Sequence, residues 1–359
     1  MKIPYANLYA EYKECQYEID NAIRNCIANS NFIGGDAVKQ FEVAWANYTD
    51  NKDCAGTSSG TSALFLSLLS LGIGSGDEVI VPAMSFMSTA EVVSQLGATP
   101  IFVDIDQYYT INIDAVATAI TEKTKAIIFV DLYGQTIDIE KLRSVSVGIP
   151  LIRDAAQSAV CYNTLVDVND FVYATCYSFY PGKNLSAMGD AGAVTGSVEV
   201  CEKIRYYRDH ARTEKYIHTG IGYNERLDAM QAAIVTAKIP FLKKWNKQRD
   251  INARYYLENL AGSGIILPLT NPYSDHVWNQ FVIVSPSRDV LRQYLAEHGI
   301  ETGLQFPLAL HQQPVYKSLL QLPSSEELAA TCLSLPVFAQ LKQSELEYIV
   351  SCIWNYNNS

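Results

Sequence analysis

No two cysteines in this sequence form a C-x-x-C pair. The eight present (Cys15, Cys26, Cys54, Cys161, Cys176, Cys201, Cys332 and Cys352) are scattered. That spacing argues against a zinc site or a disulfide framework and for buried, reduced thiols. Long apolar runs are missing too: none approaches the roughly 20 residues that cross a bilayer. The opening stretch MKIPYANLYAEYKE has no apolar segment of the secretory type, so the expected location is the cytoplasm. Basic residues are in short supply, 27 Lys and Arg against 38 Asp and Glu for a net charge of -11. Without a basic stripe to displace counterions, a nucleic-acid partner is excluded. A small phosphorylated substrate, which needs only two or three local donors, is not. Internal repeats, low-complexity tracts and long charge runs are also absent. What remains is a chain of 359 residues, 48% hydrophobic and 18% charged, the composition of a globular protein with one large domain and one smaller one.

Between about residues 53 and 200, short apolar runs alternate with amphipathic stretches. EVIVP (Glu78 to Pro82), TPIFVDI (Thr99 to Ile105), KAIIFVDLYG (Lys125 to Gly134), PLIRD (Pro150 to Asp154) and ATCYSF (Ala174 to Phe179) read as buried strands from their length, β-branched content and flanking Gly, Pro or Asp. Helical patterns lie between them, at Thr61 to Gly72 and Ser85 to Gly97. This alternation predicts an α/β fold, a mostly parallel central sheet with helices on both faces. A long helical region follows from about Arg226 to Leu260, then a strand signal at Val277 to Val284 and helices near Asp289 to His298 and Ser324 to Ala330. The expected division is a large α/β domain over 1–244, with an N-terminal arm, and a smaller α+β domain over 245–359.

Ligands of open α/β sheets bind beyond the carboxyl ends of the strands. There Asp154 ends PLIRD and Gln157 follows; Ser178 ends ATCYSF and Lys183 follows in a Gly-containing loop. Gly60 and Thr61 open a helix whose first N–H groups suit an anion, and Phe86 supplies a flat apolar face. Taken singly, each residue has a plainer use as a cap, a solvated loop side chain or core. Together they offer an anion cradle, a buried carboxylate, an amine and a stacking ring, the set that pyridoxal phosphate requires.

Other motifs fail on context. GTSSG (Gly56 to Gly60) matches the G-x-S-x-G elbow of α/β-hydrolases with Ser58 as nucleophile. NKDCAGTS, however, reads as a poor strand and no HGGG loop is present. PGKN is no phosphate loop, because Tyr177 stands where the first Gly belongs and Asn184 where Ser or Thr belongs.

The segments FIGGDAVKQFE (Phe32 to Glu42), SSGTSAL (Ser58 to Leu64), RDAAQS (Arg153 to Ser158), SFYPGKNL (Ser178 to Leu185) and GYNERLDAMQAAI (Gly222 to Ile234), in this order, give the chain its resemblance to the DegT/DnrJ/EryC1/StrS aminotransferases. The resemblance covers nearly the whole chain and implies the type I pyridoxal-phosphate fold. It implies that Lys183 carries the cofactor as a Schiff base, Asp154 pairs with the pyridinium nitrogen and Gln157 bonds the ring hydroxyl. Gly60, Thr61 and Ser178 would hold the phosphate, Phe86 would stack on the ring, and Asn224 would reach the phosphate from the other subunit of a homodimer. The implied reaction passes an amino group from an amino acid, L-glutamate as a rule, to a nucleotide-linked keto-sugar. The segment after Lys183 resembles members acting at C3 of a dTDP-linked 3-keto-6-deoxyhexose; C4 of a 4-keto-sugar, and a cofactor-binding regulator without turnover, stay open as alternatives. His218 and Arg226 would line the substrate mouth. The chain departs from the family pattern at Asp131, where His is usual, at Gln305 and Phe306, where His-Tyr is usual, at Ala191 and Ala211, where Gly is common, and in the glycine-free stretch NTLVDVNDF.

Overall fold

The fold is described from a computed structural model, which covers residues 1–161 and 167–358. Residues 163–166 of the departing stretch NTLVDVNDF lie outside the described residues. Three helices lead in: α1 (Leu8–Glu14), α2 (Gln16–Ala28) and α3 (Gly35–Tyr48). The central sheet has seven strands: β1 (Asp53–Thr57), β2 (Glu78–Pro82), β3 (Thr99–Val103), β4 (Thr124–Val130), β5 (Leu151–Asp154), β6 (Ala174–Ser178) and β7 (Gly192–Gly196). Their order is β1-β7-β6-β5-β4-β2-β3. Only β7 runs against its neighbours, pairing antiparallel with both β6 and β1. Five expected strands are therefore present, and two more complete the sheet. NKDCAGTS corrects the reading of a poor strand: Asp53–Thr57 is the sheet's edge strand, with Cys54, Ala55 and Thr57 wholly buried. Its small and polar residues obscured it, because neighbouring chain rather than β-propensity holds it in place.

The strands carry continuous apolar runs because both faces are covered. In β4, Ala126, Ile128 and Val130 face a core shared with α4 (Gly60–Ser70), α5 (Ser88–Gln95) and α8 (Val198–Tyr207). Ile127 and Phe129 face a second core shared with α6 (Ile113–Ala119) and α7 (Ile139–Val145). The two-residue period of the strand thus sorts one sequence run between two interiors. After β7 come the exposed hairpin β8 (Arg212–Glu214) and β9 (Ile217–His218), then helix α9 (Ala229–Asn259), a single helix that runs across position 245. Its first half packs on α2 and α3. Beyond it, β10 (Phe281–Val284) and β11 (Cys332–Leu335) form a two-stranded antiparallel sheet. That sheet packs with α10 (Arg288–Glu297) and α12 (Gln343–Asn358) around Trp278, Phe281, Leu291, Leu333 and Ile349. Helix α11 (Pro323–Thr331) precedes β11. The strand expected over Val277 to Val284 is shorter than its apolar run, because Trp278 takes a left-handed backbone (φ 47°) and turns the chain before β10 begins.

Candidate active site

The carboxyl ends of β1, β2, β5 and β6 and the start of β7 meet at one edge of the sheet. A cleft of about 670 Å³ opens there, lined among others by Gly60, Thr61, Phe86, Asp154, Gln157, Ser178 and Lys183. These are the seven residues expected from one protomer, and the fold brings them together from four separate segments.

Asp154 is the last residue of β5 and is buried. Its carboxylate accepts from the Ala156 N–H at 3.1 Å and, at a longer 3.4 Å, from the Thr89 hydroxyl. Burial pushes its pKa up to about 6, against the Ala156 N–H and the positive charge of Lys183, which favour the ionised form. Lys183 shows the opposite shift. Burial lowers its amine to about 8, and the attraction of Asp154 only partly offsets that. Its Nζ makes no hydrogen bond among the described residues. Paired opposite shifts of this kind mark two charges held near one another and incompletely compensated. Gln157 is oriented by accepting from the Tyr133 N–H at 2.7 Å through Oε1.

Lys183 lies on the connection between β6 and β7, and that connection is pinned. Phe179 donates to the Ala191 carbonyl at 2.8 Å and Ala187 to the Phe179 carbonyl at 2.7 Å. The next residue, Asn184, is buried; its amide donates to Asn246 and to the Val277 carbonyl, both at 2.8 Å, and accepts from Asn279 at 2.9 Å. Further along, Lys238 of α9 donates to the Ser186 carbonyl at 2.6 Å and pairs with Glu11. The amine is thus held from both sides by elements far away in sequence.

Helix α4 points its N-terminus at the cleft. Ser59 caps it, accepting from the Ser62 N–H at 3.1 Å, which leaves the N–H groups of Gly60 and Thr61 without intrahelical acceptors. The approach is close enough to require glycine. A Cβ on Gly60 would stand 2.7 Å from the Ser178 Cβ, and one on Gly192 would stand 2.2 Å from the Ser59 carbonyl oxygen. Thr61 and Ser88 share a hydrogen bond of 2.6 Å beside the helix start. Phe86 is 57% exposed within the cleft, with its ring 5.8 Å from that of Phe306. An amine, a buried carboxylate that gains from a cation, a helix start with hydroxyls and an uncovered aromatic face fit pyridoxal phosphate on all four counts.

Three expected residues stand elsewhere on this protomer. Asn224 is exposed and bridges to Asp209; His218 is exposed and bonds the His210 carbonyl at 2.8 Å; Arg226 pairs with Asp209 at 2.6 Å. None of them lines the cleft of its own chain. Ser58, the hydrolase candidate, bonds the Ser62 hydroxyl at 2.7 Å and the Glu225 carboxylate, and no histidine reaches it among the described residues. No cluster of three or more metal-ligating side chains occurs among the described residues, nor a helix long and apolar enough to cross a membrane.

Sequence reasoning missed the far wall of the cleft: Tyr5, Arg249, Asn279, Gln280, Gln305 and Phe306. Only Gln305 and Phe306 carried a signal, as departures from a family pattern. Tyr5 reaches Gln280 across 275 residues, a contact with no local trace, its hydroxyl donating to the amide oxygen at 3.0 Å.

Residues 13–354 match the DegT/DnrJ/EryC1/StrS aminotransferase family. Among curated proteins, the chain is 41% identical to a "pleiotropic regulatory protein" of Geobacillus stearothermophilus, over 98% of each chain. It is 36% identical to a dTDP-3-amino-3,4,6-trideoxy-alpha-D-glucose transaminase of Streptomyces venezuelae, over 98% of this chain and 95% of that one. Among solved structures, DesV of S. venezuelae in complex with a ketimine intermediate superposes with a TM-score of 0.96 at 35% identity, over 100% of this chain and 99% of the other.

Proposed function

Because the chain belongs to the DegT/DnrJ/EryC1/StrS aminotransferase family, we propose that it uses pyridoxal phosphate to pass an amino group from L-glutamate to C3 of a nucleotide-linked keto-sugar, a dTDP-3-keto-6-deoxyhexose. One observation carries the reading: Asp154 and Lys183 share one cleft and their pKa values are pushed toward each other, to about 6 and about 8. The C3 position is supported by the transaminase relative, whose name specifies a 3-amino sugar.

When bound, the cofactor supplies a conjugated ring that takes up the electron pair left as a C–H bond breaks. In this reading Asp154 faces the ring nitrogen and keeps it protonated, which relieves the cost of burying that carboxylate. Gln157 orients the ring through its hydroxyl. Gly60, Thr61 and Ser178 hold the phosphate at the start of α4, where helix dipole and free N–H groups favour an anion. Phe86 packs on the ring face. Lys183 would hold the cofactor through Nζ, and the same nitrogen, once free, would accept and return a proton at the donor carbon. Burial lowers the pKa of this amine, which favours the neutral form that accepts a proton, and positioned proton transfer of this kind contributes about 10²–10⁴-fold in rate.

The reading extends to a homodimer in which Asn224 completes the neighbour's phosphate site and His218 and Arg226 line its mouth. The exposure of Asn224 and of the nearby apolar side chains Tyr216, Ile217 and Ile221 supports this. It also keeps the division into a cofactor-binding part over 1–244 and a smaller part over 245–359. Eight free, buried cysteines fit the cytoplasm.

The test separates the half-reactions. L-Glutamate should bleach the visible band of the purified protein and release 2-oxoglutarate. Adding dTDP-3-keto-6-deoxyhexose should then restore the band and yield a product whose nitrogen sits on C3 by NMR. Restoration by 4-keto-sugars alone would move the chemistry to C4. The regulatory name of the Geobacillus relative favours a second reading, cofactor binding without turnover; a band that ignores every amino donor would select it.

A further inference from the structure

The far wall of the cleft holds a cation with no anion of its own. Arg249, on α9, is 7% exposed and lines the cleft, yet no carboxylate lies within ion-pair distance among the described residues. The acidic side chain that acts on it electrostatically, Glu11, is already paired with Lys238. Two carbonyls are its hydrogen-bond partners, those of Trp278 at 3.2 Å and Asn279 at 3.4 Å, both served by Nη1. Its Nε is buried without an acceptor, and Nη2 makes no hydrogen bond among the described residues. A guanidinium has five N–H donors in a planar fork, and here most of that fork is idle. Leaving a buried charge unpaired is expensive, so an arrangement of this kind is stable only where a ligand supplies the missing anion.

The charge count points to the ligand. Asp154 and Lys183 offset each other, and the other acid of the lining, Asp190, is exposed, so Arg249 is the buried charge of the cleft left without a counter-ion in contact. A planar carboxylate presents one negative charge in two oxygens, the shape a guanidinium fork binds in parallel. The neighbouring groups are amides and a phenol rather than further cations: Tyr5 and Ser334 both donate to Gln280 Oε1, at 3.0 and 2.8 Å, and Gln280 in turn engages Gln305. One arginine among neutral polar groups is poorly matched to a nucleotide diphosphate, which brings more charge than a single buried cation balances. We propose that Arg249, with Gln305 beside it, is the subsite that takes a carboxylate of the amino donor and so selects amino acids over simple amines as the source of nitrogen.

This assignment rests on the aminotransferase reading above. It is tested by calorimetric titration of the cofactor-loaded protein with glutarate, with its neutral diamide glutaramide, and with dTDP. Wild type should bind glutarate at least about tenfold more tightly than glutaramide. Arg249→Gln should erase that ratio while pyridoxal phosphate and dTDP bind as before. Because Arg249 also holds two backbone carbonyls, Arg249→Lys provides a milder variant, expected to keep the fold and the cofactor but to bind glutarate less tightly than wild type. A crystal of the wild-type protein with glutarate should show a carboxylate on the guanidinium. A glutarate-to-glutaramide ratio unchanged in either variant, glutarate bound away from Arg249, or loss of dTDP rather than glutarate would each overturn the subsite and leave the aminotransferase reading standing. Failure of wild type to take up pyridoxal phosphate would instead overturn that reading.

Discussion

Asp131 and Asp154 leave adjacent strands at the same edge of the sheet, close enough that the Asp131 N–H donates to the Asp154 carbonyl at 3.0 Å. Both are buried, Asp131 completely. Their surroundings differ. One Asp131 oxygen accepts from Arg153 at 2.7 Å and from the Ser158 hydroxyl at 2.5 Å, while Arg153 also donates to the Cys161 carbonyl at 2.7 Å. Asp154 has one backbone N–H and a long contact to Thr89, and its cation, Lys183, does not touch it. The first aspartate holds its cation in contact and ties the loops after β4 and β5 together, although its other oxygen has no hydrogen-bond partner; the second accepts on both oxygens from neutral donors and has no cation in contact among the described residues. Burial alone does not separate structural from functional acids, whereas the degree of compensation does.

The contrast can be broken most forcefully at the amine. Lys183→Ala should lower amino transfer at least about 10³-fold and abolish the visible band, with pyridoxal phosphate still retained loosely. Turnover within tenfold of wild type, measured as 2-oxoglutarate release, would remove Lys183 from its role. Next in size, Asp131→Leu leaves Arg153 buried without its anion and should cost about 3–5 kcal/mol in urea unfolding. A loss below about 1 kcal/mol would mean that the pair is not structural. Asp154→Asn should have the opposite sign in the cofactor-free protein, raising its stability at pH 7 by on the order of 1–2 kcal/mol while weakening cofactor binding. The pH dependence follows from the direction of the shift. Native Asp154 holds its proton up to about 6, whereas the unfolded chain releases it near 3.8. The folded state therefore binds the extra proton between those values, and its contribution to stability falls as pH rises from about 4 to about 6. Asp154→Asn should flatten that slope, and an unchanged profile would contradict it. Smallest of all, Thr89→Val removes only the 3.4 Å contact and should change stability by less than about 1 kcal/mol, with a further rise in the Asp154 pKa by NMR.

Reading the sequence recovered what strand periodicity and strand-end rules encode. β2 was legible to the residue, and β4, β5 and β6 nearly so, because their apolar runs are bounded by Gly, Pro or Asp. Asp154, Gln157, Ser178 and Lys183 follow directly from those ends. DCAGT at β1 and GAVTG at β7 escaped because small residues at crowded positions carry no strand signal. Gly192 is small for reasons of clearance against Ser59, which shows only in three dimensions. Arg249 was invisible for a related reason: within a 31-residue helix it looks like any surface cation, and its burial depends on β10 and its approach, some thirty residues later.

The reversal of β7 has a mechanical consequence. Ser178 lies opposite Gly192 in the ladder, so the segment bearing Lys183 leaves and re-enters the sheet at the same place, clamped like a staple by both legs. Backbone swing cannot deliver the nitrogen to different atoms in turn; whatever travel it has must come from the torsions of its own four-carbon stem, over a radius of a few ångströms. In the proposed reaction, the reacting carbons of both substrates must therefore come to Lys183, each in its own half of the cycle, rather than the lysine to them.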